Sequence, residues 1–263
     1  MFTLKELFEK LDLFAPLDYS RKLIEKGDYD NSGIIIKSTE TANKIMFALD
    51  LTENAVKRAK KLGCDTIVTH HPAIYTPLSV IDTTDVSTSA VALALGYKMN
   101  VISMHLNLDV SKGGIDQSLA MALGAKEFEI LDPLYDGIGY GRLFEIQEIK
   151  LKDYLKQVKD NLNTDKIVVY GNKNRNVKRV ASFCGGGSGY AEKQVQKGIA
   201  PDLVVTSDMP HHVLKYLIEK EISVMIITHY ASENYGFKKF YEHIYKTLNG
   251  KAEVYYFDDE RFM

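Results

Sequence analysis

The feature that most constrains this fold is a repeated alternation of short β-branched runs with longer helical runs. The runs DTIVT (65–69), VISM (101–104), LVVT (203–206) and SVMIIT (223–228) each have the length and composition of a buried strand. A run of helical periodicity separates each of them from the next apolar run. Strands that alternate with helices form mainly parallel sheets with helices on the faces. The sequence therefore predicts the α/β class.

The middle of the chain departs from this alternation and suggests a boundary between two lobes. It combines glycine-spaced and period-two segments with a charged, amphipathic helix and a further short strand. We therefore predict a first α/β lobe over residues 1–130, a connecting strand-helix-strand segment over 131–175, and a second α/β lobe over 176–263. The two lobes are expected to be similar.

Composition excludes several classes of function. The chain has 263 residues, a formal net charge of -2 and no basic stripe, which argues against a nucleic-acid partner. Its two cysteines, Cys64 and Cys184, lie far apart in sequence and suggest a reducing compartment without a disulfide framework. The N-terminal residues lack the apolar core of a secretion signal, and no apolar run has the length of a membrane span. We expect a cytoplasmic protein that does not bind membranes.

Histidines and carboxylates follow the predicted strands at the point where each strand ends. Six of the seven histidines do so, and only His243 falls within a predicted helix. Ligands of open α/β sheets bind at the carboxyl ends of the strands, so these side chains are expected to meet at one edge. The polar groups in question are His70 and His71, His105 and Asp109, Asp208 with His211 and His212, and His229 and Glu233.

The spacing within these groups favours metal binding. Adjacent side chains of an extended chain point to opposite faces, so His70 and His71 would reach two different ions. Asp109 lies four positions after His105, and Glu233 lies four positions after His229. In a helix this spacing places a nitrogen and an oxygen donor one turn apart.

Six candidate ligands exceed what one catalytic zinc ion uses, which favours two divalent ions. Imidazole and carboxylate donors suit Zn, Fe, Mn, Co or Ni, and Glu233 has the reach to bridge. Two ions roughly 3.5–4 Å apart commonly perform hydrolysis, and their excess positive charge attracts an anionic substrate. The predicted metal ligands are His70, His71, His105, Asp109, His229 and Glu233.

A glycine run from 185 to 187, followed by Ser188, joins a strand to a helix and has two interpretations. The backbone amides of this segment, those of Gly186, Gly187 and Ser188 in particular, could hold an anionic group of the substrate. It could equally be a tight turn without a ligand. Asp208, His211 and His212 are further candidates for contacting the substrate or orienting the metal ligands. Cys184 is expected to be a small buried residue and not a nucleophile.

The motifs resemble those of the YbgI-like, or Nif-three-like, dinuclear metal family, whose members are often called GTP cyclohydrolase I type 2 homologues. The resemblance covers nearly the whole chain, and the order of THHP, HxxxD and HxxxE is specific. Matching segments are YDNSG (29–33), THHPAIY (69–75), HLNLD (105–109), GIGYGRL (137–143), GGGSG (185–189), TSDMPHH (206–212) and THYASE (228–233).

This resemblance implies two α/β lobes with the metal site between them and a homohexamer built as a trimer of dimers. It assigns five residues as direct ligands and leaves His105 either as a ligand or as a residue that orients one. The sequence departs from the family at Tyr29, where Trp is common, and at Ser207 and Thr228, where Gly is common. The five ligands that the resemblance assigns are His70, His71, Asp109, His229 and Glu233.

Two functions fit these observations. The first is a metal-dependent hydrolase of a nucleotide or another phosphate-bearing small molecule, in which Glu233 or His105 assists proton transfer. The second is a non-catalytic metal-binding regulatory or scaffold protein that acts through partners. Closed, thiolate-rich sites are typical of structural zinc, so the open imidazole and carboxylate set favours the hydrolase.

Overall fold

The computed structural model describes residues 2–262 and shows an α/β protein with two β-sheets, which confirms the predicted class. The helices are α1 (Leu4–Phe14), α2 (Leu17–Glu25), α3 (Glu53–Leu62), α4 (Ser89–Gly96), α5 (Leu106–Val110), α6 (Ile115–Ala122), α7 (Leu151–Leu162), α8 (Ser188–Gln196), α9 (His211–Glu219) and α10 (His229–Leu248). The strands are β1 (Gly33–Ile36), β2 (Lys44–Ala48), β3 (Thr66–Thr69), β4 (Asn100–Ser103), β5 (Glu129–Tyr135), β6 (Ile138–Lys150), β7 (Ile167–Tyr170), β8 (Asn176–Ser182), β9 (Leu203–Thr206), β10 (Ser223–Ile227) and β11 (Glu253–Phe257). Within residues 2–262, no helix combines the length and apolarity that a membrane crossing requires.

The chain divides into two compact units. The first unit contains residues 2–111 and 237–259, and the second contains 112–236 and 260–262. Helix α10 is divided between them after Gly236.

The first unit is built on a five-stranded sheet in the order β1-β4-β3-β2-β11. β11, β2, β3 and β4 pair in parallel, and β1 joins the edge antiparallel to β4. Strands β3 and β4 are buried along their whole length, as expected for central parallel strands covered on both faces. Apolar side chains such as Met46, Ile67 and Val101 form the core with residues of α3 and α4.

The second unit is built on a six-stranded mixed sheet in the order β5-β6-β8-β9-β10-β7. Only β8, β9 and β10 pair in parallel, while β5, β6 and β7 join antiparallel. The mainly parallel character that the sequence predicts therefore holds for the first sheet and for the centre of the second. The antiparallel strands come from the middle segment whose different pattern the sequence already shows.

Local sequence accounts for several helix ends. Thr3 caps α1 by accepting the Glu6 amide at 3.1 Å, and the Glu6 carboxylate accepts the Thr3 amide at 2.8 Å. The Thr52 hydroxyl caps α3 by accepting the Ala55 amide at 3.2 Å, and Gly63 ends that helix in the left-handed conformation at φ +74°.

The observed units differ from the predicted boundaries at 130, 131–175 and 176–263. β11, near the C-terminus, pairs with β2 and so belongs to the first sheet. Helix α6 and strands β5 to β7 belong to the second unit. These assignments depend on pairing between distant segments, which the periodicity of a single segment does not encode.

Candidate metal centre

In the first unit, the candidate ligands follow neighbouring parallel strands, as the sequence predicts. β3 is followed by His70 and His71, and β4, its parallel neighbour, is followed by His105 one residue beyond Met104. The amides of both His70 and His71 donate to the Leu49 carbonyl, which follows β2, at 3.1 Å each. The chain therefore leaves β3 in a turn that is fixed to the next strand of the sheet.

These strand ends bring four side chains together, named here the first ligand group (His70, His71, His105 and Asp109). One donor atom from each of the three histidines lies within 4.8 Å of the others. His70 Nε2 lies 3.5 Å from Asp109 Oδ1, and both side chains are buried. The Asp109 amide donates to the His105 carbonyl at 3.0 Å, which confirms the expected helical turn between them.

The Nδ1 atom of each of these histidines has a defined partner. It lies 2.7 Å from Asp50 Oδ1 in His71, and 2.7 Å from Asp30 Oδ1 in His105. In His70 it lies 2.8 Å from the Met104 carbonyl oxygen. An acceptor at Nδ1 fixes the neutral imidazole with its proton on that atom, so Nε2 is the nitrogen that would bind a metal.

Asp30 is held for this role by its surroundings. Burial would raise the pKa of Asp30, but the hydrogen bonds that its carboxylate accepts from His105, Ser20 and Ser32 outweigh that effect and lower the pKa. The Ser32 hydroxyl lies 2.6 Å from the carboxylate and also accepts the His105 amide at 3.0 Å. Asp30 is therefore an ionised partner for the ring of His105.

In the second unit, three neighbouring parallel strands again carry the polar residues at their carboxyl ends. These strands are β8, β9 and β10, which are followed by the glycine run, by Asp208 and by His229. The second ligand group (His229 and Glu233) lies on the first turns of α10, with His229 Nε2 3.0 Å from Glu233 Oε1. Asp208 is hydrogen-bonded to Nδ1 of His229, as Asp50 and Asp30 are to their histidines.

The separations between donor atoms fit metal coordination. Two donors, each about 2.0–2.2 Å from one ion and subtending about 90–110°, lie roughly 2.8–3.6 Å apart. The His70–Asp109 distance of 3.5 Å and the His229–Glu233 distance of 3.0 Å both fall in this range. Each ligand group thus contains a nitrogen and an oxygen donor that could hold a divalent ion.

The glycine run packs directly against the second ligand group. Gly185 has φ +53°, and a Cβ atom there would overlap Glu233 Oε1 and lie 3.2 Å from His229 Nε2. Its amide donates to the Ser232 hydroxyl at 2.9 Å, and its carbonyl accepts a hydrogen bond from Ser207. The Ser188 hydroxyl donates to the carbonyl of Asp208 at 3.1 Å. These contacts support the tight-turn interpretation of the glycine run, in which it positions the candidate ligands His229 and Glu233, in preference to the anion-binding interpretation.

A buried ion pair holds the start of this turn. Arg142 Nη1 lies 2.9 Å from Asp116 Oδ2, and neither side chain is exposed. The other oxygen of Asp116 accepts the Cys184 amide at 3.1 Å. Burial raises the pKa of Asp116 to about 6, against the lowering effect of Arg142 and of the amides of Cys184 and Gly141. The sequence contained no sign of this pair, because Asp116 and Arg142 lie on separate elements.

The remaining predicted residues, His211, His212 and Cys184, lie outside the two ligand groups. His211 and His212 open α9 with exposed side chains, and they belong to none of the clusters of metal-binding atoms found within residues 2–262. Cys184 is buried, as expected. The sequence interpretation missed Asp30 and Asp50, although Asp50 follows β2 just as His70 follows β3.

Comparison with known proteins identifies the family. The model of the Duf34/NIF3 (NGG1p interacting factor 3) family matches residues 2–261. The chain belongs to this family, which confirms the expectation drawn from the motifs.

Individual relatives agree with this assignment. The chain is 29% identical to a GTP cyclohydrolase 1 type 2 homolog of Clostridium perfringens, over 79% of this chain and 80% of that protein. It is also 29% identical to a protein of the same description from Methanocaldococcus jannaschii, over 93% and 96% of the two chains. The crystal structure of a Bacillus cereus protein related to NIF3 has the same fold, with a TM-score of 0.87, 18% identity and coverage of 98% and 97%.

Proposed function

We propose that this chain binds two divalent metal ions and hydrolyses a nucleotide or another phosphate-bearing small molecule. The first and second ligand groups supply the ligands, with His105 among them. The relatives from Clostridium perfringens and Methanocaldococcus jannaschii are named as homologues of a GTP cyclohydrolase, which is consistent with a nucleotide substrate.

The observation that carries this proposal is the carboxylate at Nδ1 of His71, His105 and His229. Such pairs fix the tautomer, orient the ring and make Nε2 a better electron donor. A histidine with only a packing role has no need of a charged partner. The same arrangement occurs in both units, which supports a metal-binding role for each.

Divalent ions would supply Lewis acidity and activate water for attack on the substrate. The protein residues would then handle protons and orientation. Glu233, which is 2% exposed, is the buried carboxylate suited to accept a proton from the attacking water. If His105 orients a neighbouring ligand instead of binding an ion, its Nε2 atom could pass a proton to or from solvent, since its side chain is 15% exposed.

The alternative function is a metal-binding regulatory or scaffold protein. It keeps the same ligands and requires no turnover. Exposure of the His229 and Asp208 side chains, at 38% and 57%, favours the hydrolase, because a structural metal site is usually closed to solvent.

Metal content and turnover of the whole chain test this proposal. Purified wild type should contain about two ions per chain by elemental analysis and should hydrolyse at least one member of a panel of phosphoesters, phosphoanhydrides and purine nucleotides. Glu233→Gln should lose turnover, while Glu242→Gln, an exposed glutamate on the same helix α10, should keep it.

The outcomes separate the two functions. Two bound ions with no turnover above Glu233→Gln would reject the hydrolase and leave the scaffold. Fewer than one ion per chain at saturation would reject the dinuclear centre itself.

The homohexamer is proposed from the family resemblance alone. Its test is the solution mass by light scattering, for which a trimer of dimers predicts six times the mass of the 29.7 kDa chain.

A further inference from the structure

Two exposed tyrosines lie beside the first ligand group. Tyr29 and Tyr75 are 48% and 46% exposed, and their ring centroids are 4.9 Å apart in an edge-to-face arrangement. The Tyr75 ring is 6.1 Å from the His105 ring and nearly perpendicular to it. We name Tyr29 and Tyr75 the tyrosine pair. Large aromatic rings usually become buried, so two adjacent exposed rings at a candidate metal centre require a reason.

Hydrogen bonds hold the tyrosine pair in a defined orientation. The Tyr75 hydroxyl donates to the Tyr29 carbonyl at 3.2 Å. The Asn31 side chain donates to the Ile74 carbonyl at 2.6 Å and so joins the two segments that carry the rings. Rings fixed before a ligand arrives lose little conformational entropy when it binds.

The same segment that carries Tyr29 also fixes a candidate metal ligand. Asp30, the next residue, lies 2.7 Å from Nδ1 of His105. Tyr29 and Asp30 are consecutive residues, so the backbone that positions the Tyr29 ring also positions the carboxylate that holds the His105 imidazole. A ligand that contacts the tyrosine pair would have its remaining atoms close to the first ligand group.

We propose that the tyrosine pair is a stacking surface for a planar heteroaromatic ring, and that it selects ring-bearing phosphate compounds as ligands of the metal centre. This inference rests on the proposed function and specifies its substrate class. An aromatic face binds any flat ring through stacking and apolar contact, whereas the metal ions bind the anionic group. The first unit contains both the tyrosine pair, which would contact the flat ring, and the first ligand group, whose metal would bind the anionic group.

The absence of tryptophan from the chain makes a direct binding test possible. Tyr75→Trp introduces one fluorescent reporter into the tyrosine pair and keeps an aromatic ring there. Tyr245→Trp is the matched control, since Tyr245 is 56% exposed on α10 and lies outside the pair. The zinc-loaded proteins are titrated with GMP and with ribose 5-phosphate, which has the same sugar phosphate but no base.

GMP should quench the fluorescence of Tyr75→Trp saturably, and ribose 5-phosphate should leave it unchanged. Neither compound should alter Tyr245→Trp. Equal quenching of the two variants by GMP, or no quenching of either, overturns the inference. An emission of Tyr75→Trp that depends on protein concentration and not on GMP would assign the pair to contact with a second copy of the chain.

Affinity gives a second measure. Tyr75→Ala should weaken GMP binding by about 5- to 150-fold, the usual range for loss of one stacking contact, while Tyr75→Phe should stay within about threefold of wild type. Binding of ribose 5-phosphate should be equal in all three proteins. Equal weakening of both compounds in Tyr75→Ala would also overturn the inference.

These measurements separate this inference from the proposed function. Quenching by GMP without any hydrolysis would reject the hydrolase and support the stacking surface. Hydrolysis that shows the same KM change for ring-bearing and ring-free phosphates in Tyr75→Ala would support the hydrolase and reject the stacking surface.

Discussion

Gly185→Ala is expected to damage metal binding in the second unit beyond its cost to the backbone. The wild-type residue has φ +53°, where a non-glycine residue costs about 1–2 kcal/mol. The new methyl group would also overlap Glu233 Oε1, so either the Glu233 side chain or the 184–186 backbone must move. Either movement changes the 3.0 Å spacing between the donors of His229 and Glu233.

The size of the effect follows from how strictly metal donors must be placed. Disturbing the residues that orient a metal ligand typically lowers affinity 10- to 100-fold, or about 1.4–2.7 kcal/mol. Gly185→Ala should therefore lose that much Zn²⁺ affinity, measured by competition with a chromophoric chelator. Urea unfolding of the metal-free protein measures the separate backbone cost.

Gly137→Ala provides the matched control. Gly137 lies in the same unit at φ +71°, and nothing lies within 4 Å of the Cβ that the substitution adds. It should show a similar loss of stability with unchanged Zn²⁺ affinity. Equal losses of Zn²⁺ affinity in the two alanine variants would refute the role assigned to the contact between Gly185 and Glu233.

Three other predictions concern the titratable side chains of Asp116, Asp30 and Cys64. Because burial raises the pKa of Asp116 to about 6 from an ordinary 3.8, the folded state binds this proton more tightly than the unfolded state does. Its contribution to stability is therefore complete well below pH 3.8 and is lost as pH rises through 6, by about 3 kcal/mol in total. Urea unfolding should show that the difference in stability between wild type and Asp116→Asn changes by about 2.4 kcal/mol between pH 4 and 7, and parallel profiles would contradict this. Asp30→Asn should lower Zn²⁺ affinity 10- to 100-fold, because Asp30 orients the ring of His105. Asp82→Asn, at an exposed aspartate of the same unit, should leave the affinity unchanged, and equal affinities of the two variants would exclude the orienting role of Asp30. Burial, followed by the charge of Asp65, raises the pKa of Cys64 to about 11, so its thiol should react with an alkylating reagent at pH 8 only after unfolding, and rapid labelling of the native protein would contradict this.

The position of the ligands could be predicted because parallel strands impose it. Once 66–69 and 100–103 are recognised as parallel strands of one sheet, and 203–206 and 223–227 of another, each sheet places the residues that follow its own strands at one edge. The sequence predicted a single edge for all of them, and did not show that the strands belong to two sheets. The i, i+4 spacing then predicts the turns that carry Asp109 and Glu233. Both inferences need only local sequence and a general rule of sheet geometry.

The carboxylate partners were harder to predict, since they depend on long-range pairing. Asp50 follows β2, but the apolar run at 45–49 does not distinguish a strand from a helix until β3 and β11 are placed beside it. Asp30 lies in a loop and reaches His105, 75 residues away. The unit boundaries were missed for the same reason, because β11 pairs with β2 across about 200 residues.

The carboxylate partners also change the charge argument made from the ligands alone. Two ions against Asp109 and Glu233 leave an excess of positive charge, which would attract an anion from a distance. The partners Asp30, Asp50 and Asp208 raise the number of carboxylates from two to five, against two proposed divalent ions. Five negative charges against four positive ones would leave no excess of positive charge, and the chain as a whole is at -2. Long-range attraction would therefore contribute little to the capture of the anionic substrate that we propose. Binding of that substrate would depend on short-range contacts instead: coordination of its anionic group by the proposed ions, and contact of the rest of the molecule with a surface such as the tyrosine pair.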